Sequence, residues 1–139
     1  MNTILAAIAI MLSLLTITAP AQADEPLALQ GVMKDLGKHM QTIAGAIAYE
    51  DWVQVANTAP LIAAHPQPPI AEKARIISFM GGNMGKFKSF DMQTHEAAHE
   101  MEHAAHENNG VQVIAAFQKV QASCLACHQT FRKPFAEHF

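Results

Sequence analysis

Residues 124–128 read Cys-Leu-Ala-Cys-His, two cysteines three positions apart with a histidine directly after the second. This is the spacing by which c-type haem is attached to a protein chain. Each thiol adds across one vinyl group of the haem, and a single helical turn is long enough to reach both groups. The imidazole of His128 then lies beneath the ring and binds the iron as proximal ligand. The segment therefore predicts one covalently attached haem c, held by Cys124, Cys127 and His128.

Cys124 and Cys127 are the only cysteines of the chain. The same spacing also occurs in structural disulfides and in thioredoxin-like redox pairs, so these two readings are the alternatives to haem attachment. A zinc site is less favoured, because no second cysteine pair completes a tetrahedral ligand set.

The beginning of the chain has the features of a signal peptide. An apolar run over residues 4–17 is followed by Ala21-Gln22-Ala23, the small-x-small pattern of a signal peptidase site. We expect residues 1–23 to be removed and residues 24–139 to form one domain in the periplasm. Because no Lys or Arg precedes the apolar run, an uncleaved anchor is the alternative. Export agrees with the cysteine motif, since c-type haem is attached outside the cytoplasm in bacteria.

The charge of the chain excludes some classes of partner. Nine Lys and Arg residues and twelve Asp and Glu residues give a formal charge of -3, and the basic residues form no dense patch. Nucleic acid is therefore not an expected partner. Mild acidity favours, weakly, a partner with a basic surface.

Apolar residues at spacings of three and four predict an all-α protein. Abundant alanine and few aromatic residues also favour close-packed helices over sheet. Four amphipathic helices joined by short connections predict an antiparallel four-helix bundle. We expect Asp51 to cap the second helix, and Pro60 and Pro134 to end or kink the helices that contain them. The predicted segments are about 26–49, 51–64, 84–108 and 111–134, with a short helix within 70–80.

Two segments resemble the class II c-type cytochromes, the family of cytochrome c′ and its low-spin relatives. Residues 124–132 read Cys-Leu-Ala-Cys-His-Gln-Thr-Phe-Arg, close to the family's C-x-A-C-H-x-x-[FY]-R, and residues 30–37 read Gln-Gly-Val-Met-Lys-Asp-Leu-Gly. The resemblance implies a four-helix bundle with the haem motif in the last helix. The family often carries an arginine near the haem propionates where this chain has Leu29. Lys34, Lys38 and Arg132 are the candidates to replace it.

The resemblance also places Met33 on the distal side of the haem, opposite His128. High-spin members have an apolar residue that does not bind iron at this position, and they admit small gases. Low-spin members have a methionine there, so the resemblance implies that Met33 is the distal ligand. A methionine at helical spacing is otherwise usually a core residue. Met40, two turns further along the same face, is the competing candidate.

Around the haem we expect an apolar wall that excludes water. The predicted wall consists of Leu36, Met40, Phe87, Phe90, Ala97, Ala98, Met101, Phe117, Val120 and Phe131.

A stripe of histidines runs along the third long helix, at His95, His99, His103 and His106. The overlapping His-Glu-x-x-His patterns would place two zinc ligands on one face, as in zinc peptidases. We reject a peptidase, because a helix rich in Ala, Glu and His produces this pattern easily. Binding of Zn, Cu or Ni at His95, His99 and His103 remains one alternative, and a solvated face that titrates with pH is the other. The isolated His39, His65 and His138 are expected to lie at the surface.

Taken together, these features predict a periplasmic monohaem cytochrome that carries one electron and is not an enzyme. Its expected partners are periplasmic or membrane-bound redox proteins. The alternatives are a cytochrome c′ that binds CO or NO at an open sixth site, and a metal-handling protein that uses the histidine stripe. Small residues at Ala44, Gly45, Ala46 and Ala48 would permit close helix contact in a homodimer.

Overall fold

The computed structural model describes residues 26–139, and every regular element within them is helical. The predicted signal peptide, residues 1–23, lies outside the described residues. Within residues 26–139 no helix combines the length and apolar character needed to cross a membrane. The helices are α1 (Ala28–Ala48), α2 (Trp52–Ala63), α3 (Ile70–Met80), α4 (Met84–His106) and α5 (Gly110–His138), with a single 3₁₀ turn (Gly81–Asn83) between α3 and α4.

The long helices α1, α2, α4 and α5 form the predicted all-α four-helix bundle. Helix α4 packs along both α2 and α5, and α1 packs along α2. Alanine fills much of this core, so the helix backbones approach closely. Larger side chains, all fully buried, fill the spaces between them: Ile43, Val55, Ile62, Met101, Val113 and Val120.

Side-chain caps fix the beginnings of two helices. The Asp51 carboxylate accepts a hydrogen bond from the backbone N–H of Gln54 at 2.9 Å, which confirms the predicted cap of α2. Asn109 accepts from the backbone N–H of Gln112 at 3.2 Å in the same way at α5. The preceding Asn108 has φ 54°, a left-handed conformation that asparagine tolerates better than most residues. These polar residues explain the tight turn between α4 and α5.

Of the two outcomes expected at Pro60 and Pro134, an end or a kink of the helix, the first does not occur. Helix α2 continues through Pro60 to Ala63, and α5 continues through Pro134 to His138. Proline removes one backbone donor and crowds the carbonyl four residues earlier. Both prolines lie within the last five residues of their helices, so little helix follows the defect.

Helix α3 holds the beginning of α1 through a carboxylate. The Glu72 oxygens accept from the backbone N–H groups of Ala28 at 2.6 Å and Leu29 at 2.9 Å. The first N–H groups of a helix have no partner within that helix, and the N-terminus favours negative charge. Leu27, which precedes α1, offers no side-chain cap. Glu72 therefore supplies the missing cap and ties α3 to the helix that carries Met33.

Gly110, the first residue of α5, has no space for a side chain. A Cβ atom there would lie 2.8 Å from two ring carbons of Trp52. Because a rigid indole cannot yield without moving α2, we expect Gly110→Ala to destabilise the fold by about 1–3 kcal/mol. The measurement is chemical unfolding followed by circular dichroism.

Gly37→Ala is the matched control, because a Cβ at this mid-helix position of α1 meets nothing within 4 Å. It should stabilise the protein by about 0.5–1 kcal/mol, the usual gain from replacing a helical glycine. Equal effects of the two substitutions would contradict the assigned role of the Trp52 contact.

Candidate haem site

A cavity of about 600 Å³ lies where α1 and α5 separate. These two helices contact each other only slightly, and α4 closes the space between them. Its volume is in the usual range for a bound small molecule or cofactor. The lining residues are Leu27, Leu29, Gln30, Met33, Lys34, Leu36, His65, Phe87, Phe90, Asp91, Thr94, Cys124, Cys127, His128, Phe131, Arg132, Phe135 and Ala136.

All four residues predicted to hold the haem line this one cavity. Cys124, Cys127, His128 and Phe131 occupy positions i, i+3, i+4 and i+7 of α5, which is one helical face. Met33 reaches the cavity from α1, and its side chain is 37% exposed. The fold thus brings an imidazole of α5 and a thioether of α1 to the same cavity.

The two thiols are free and partly buried. Burial raises the pKa of Cys124, and burial together with the charges of Cys124 and Asp91 raises the pKa of Cys127 to about 11. In thioredoxin-like pairs the reactive cysteine has a lowered pKa, which favours its thiolate form. The environment of these cysteines therefore argues against the redox-pair alternative.

The two candidate methionines have different surroundings. Met33 lines the cavity, whereas Met40 packs against the main core of the bundle with Leu36 and Ile47. Unlike Leu36, which does both, Met40 is not among the residues that line the cavity. The structure thus offers Met33, and not Met40, to a group bound between α1 and α5.

The predicted apolar wall is only partly right. Leu36, Phe87, Phe90 and Phe131 line the cavity as expected. The other six do not line the cavity and instead form the main helix-packing core or pack against it: Met40, Ala97, Ala98, Met101, Phe117 and Val120. The error has a geometric reason, because α4 and α5 are longer than the cavity. The same face of each helix lines the cavity over some turns and packs in the bundle core over others. The wall also includes Phe135, which sequence reasoning missed; its ring stacks on Phe87 with centroids 5.9 Å apart.

Two of the three cations considered for the propionates lie at the cavity. Lys34 and Arg132 line it, on α1 and α5 respectively. Lys38 instead pairs with Asp35 on the surface of α1, with its Nζ 2.7 Å from the carboxylate oxygen. Leu29, at the position where the resemblance suggests an arginine, lines the cavity and packs against the cluster of Ile76, Met80 and Phe131.

His65 does not lie at the surface as expected. Its side chain is only 7% exposed, and its Nε2 lies 3.2 Å from Asp91 Oδ1 and 3.1 Å from His95 Nε2. Its Nδ1 lies 3.1 Å from the Pro66 carbonyl oxygen, which can only accept. No sequence spacing indicates this cluster, because His65 precedes its two partners on α4 by 26 and 30 residues.

The remaining histidines of the predicted stripe face solvent. His99, His103 and His106 pair with Glu102 or Glu107 along the helix at 3.4–4.0 Å, and their side chains are about two-thirds exposed or more. Such exposed pairs contribute little to stability. The structure therefore separates His95, which turns toward His65 and Asp91, from the rest of the stripe.

The cavity has the chemistry that a haem requires. Two thiols and an imidazole project from one face of α5, aromatic side chains supply an apolar wall, and two cations match the negative propionates. These residues already line one cavity, so they could hold the group in the arrangement that the bundle gives them. They define a haem-binding cavity in a helical bundle.

The comparison with known families agrees with this site. Residues 81–132 match the family model described as Cytochrome C′. The matched span runs from the 3₁₀ turn through α4 to Arg132, and so includes both cysteines and His128 but not α1. The match supports a c-type cytochrome of the cytochrome c′ family, with a role in electron transfer or gas binding. No match was found among curated proteins.

Proposed function

We propose that this protein is a periplasmic monohaem c-type cytochrome that carries one electron and has His/Met-ligated iron. Cys124 and Cys127 tether one haem, His128 is the proximal ligand and Met33 is the distal ligand. The observation that carries the proposal is that Met33 of α1 and His128 of α5 line the same cavity, whereas Met40 does not line it.

When bound, the haem supplies an iron that alternates between the ferric and ferrous states. The residues of the chain set how readily it does so. A thioether ligand favours the ferrous state and raises the reduction potential. The aromatic wall of Phe87, Phe90 and Phe131 excludes water and likewise disfavours the additional positive charge of ferric iron.

Two further groups orient the haem. Lys34 and Arg132 are the cations available to its propionates, and both lie at the cavity. The cap that Glu72 provides to α1 fixes the helix end from which Met33 projects about one turn later. A site held from both sides in this way needs little rearrangement during electron exchange.

The proposed partners are a periplasmic oxidoreductase or a membrane-bound complex. The net charge of -3 favours a basic docking surface on that partner. We propose a carrier and not an enzyme, because a distal methionine occupies the iron position at which a substrate would bind.

The function is tested by a potentiometric titration of the purified haem protein, monitored in the visible region. The proposal predicts a reversible transition with the slope of a single one-electron couple. Binding of CO or NO by the reduced protein, without displacement of any ligand, would instead favour the gas-binding alternative.

A further inference from the structure

We propose that His65, Asp91 and His95 form a second metal site, which binds a divalent transition-metal ion and fits Zn²⁺ best. The site is separate from the haem iron and does not depend on the proposed electron-carrier function. His65 comes from the connection between α2 and α3, and the other two residues come from successive turns of α4.

The three donor atoms already have the separations of a metal site. His65 Nε2, His95 Nε2 and Asp91 Oδ1 lie 3.1, 3.2 and 3.5 Å from one another. Zinc binds imidazole nitrogen and carboxylate oxygen at about 2.0–2.2 Å, so two donors of a tetrahedral zinc ion lie about 3.3–3.5 Å apart. The triangle therefore needs adjustments of only tenths of an ångström to receive the ion.

The tautomer of His65 also favours a cation. The Pro66 carbonyl can only accept, so the 3.1 Å contact is a hydrogen bond in the tautomer that carries its proton on His65 Nδ1. A neutral ring then presents the lone pair of Nε2 toward a carboxylate oxygen 3.2 Å away, which is repulsive unless a cation lies between them. A proton can serve, and the hydrogen bond to Asp91 indeed raises the pKa of His65 while it lowers the pKa of Asp91. A metal ion bound between the three donor atoms would also remove this repulsion, and it would bind His95 Nε2 as well.

The hydrogen bond at Nδ1 is the usual outer-shell support of a zinc ligand. Metal-binding histidines commonly donate their second N–H to a backbone carbonyl or a carboxylate, which fixes the ring orientation. Two imidazoles and one carboxylate leave a fourth position for water or an external ligand, as in catalytic zinc sites. Because His65 and Asp91 also line the haem cavity, an ion here would offset the Asp91 charge in the cavity wall.

The test is calorimetric titration of the haem-loaded, EDTA-treated protein with zinc chloride. We expect one tight site per chain, and affinities at least about tenfold weaker for Asp91→Asn and for His95→Gln. The control is the double variant His99→Gln/His103→Gln, whose residues are exposed and pair only along α4. It should bind zinc like the unchanged protein.

His65 is left intact in these variants, because it is buried and its replacement risks unfolding. Its participation is read from the zinc K-edge X-ray absorption spectrum of the unchanged protein, which should contain scattering from two imidazole rings. Absence of zinc binding would overturn the proposal. So would binding that survives Asp91→Asn and His95→Gln but is lost in the control, because that result would assign the ion to the exposed stripe. The visible haem spectrum, recorded on every sample, separates these outcomes from a failure of haem binding.

Discussion

Replacing Cys124 and Cys127 together by alanine is expected to abolish covalent haem attachment. Both thiols lie on the cavity face of α5, directly before the proposed proximal ligand His128. Without them no thioether bond can form, and any haem retained by His128 is held only by ligation and apolar contacts. The measurement is haem staining of the periplasmic fraction after denaturing electrophoresis, in which the stained band at the size of the protein should disappear.

Leu125→Ala is the control for this experiment. Leu125 lies between the two cysteines, and its side chain is 58% exposed, so the substitution changes the motif without changing the cavity. Haem staining should persist in this variant. A stained band that survives the double cysteine substitution would contradict attachment at residues 124 and 127.

Replacing Met33 by leucine is expected to convert the haem iron from low spin to high spin. Leucine has nearly the volume of methionine, so the cavity keeps its shape while the thioether ligand is lost. The iron then has a free sixth position. In the visible spectrum the thioether-to-ferric-iron charge-transfer band should vanish, and the reduced protein should bind CO.

Met40→Leu tests the competing assignment with the same change of side chain. Because Met40 packs against the bundle core, this variant should keep the charge-transfer band and remain unresponsive to CO. The opposite pattern, with the band lost in Met40→Leu and retained in Met33→Leu, would assign the distal ligand to Met40.

Much of the fold could be predicted from local sequence signals. Periodic apolar residues predict the four long helices. Asp51 is predicted as a cap because aspartate is favoured at the start of a helix, and its carboxylate does accept from the backbone N–H of Gln54. Pro60 and Pro134 do not end their helices, because a proline near the end of a helix removes few of its hydrogen bonds.

The haem-binding residues were predictable for a different reason. Cys124, Cys127 and His128 are neighbours in sequence, and their chemistry requires that spacing. The cavity wall was less predictable, since one face of α4 serves the bundle core at Met101 and the cavity at Phe90. The periodicity of apolar residues identifies the buried face of a helix. It does not say whether a given turn of that face packs against another helix or lines the cavity.

The His65 cluster could not have been predicted from sequence. His65 lies in a proline-rich connection and looked isolated, while His95 appeared to belong with His99 and His103. Only the packing of the α2–α3 connection against α4 brings His65 to within 3.2 Å of Asp91. Contacts between residues this far apart in sequence depend on tertiary structure and leave no periodic trace.

The most direct test of the central claim is the visible absorption spectrum of the purified haem protein, oxidised and reduced, with and without CO. The account predicts a low-spin spectrum with the thioether-to-ferric-iron charge-transfer band and no response to CO. A high-spin spectrum that shifts readily when CO is added would contradict Met33 ligation and move the protein to the gas-binding cytochromes.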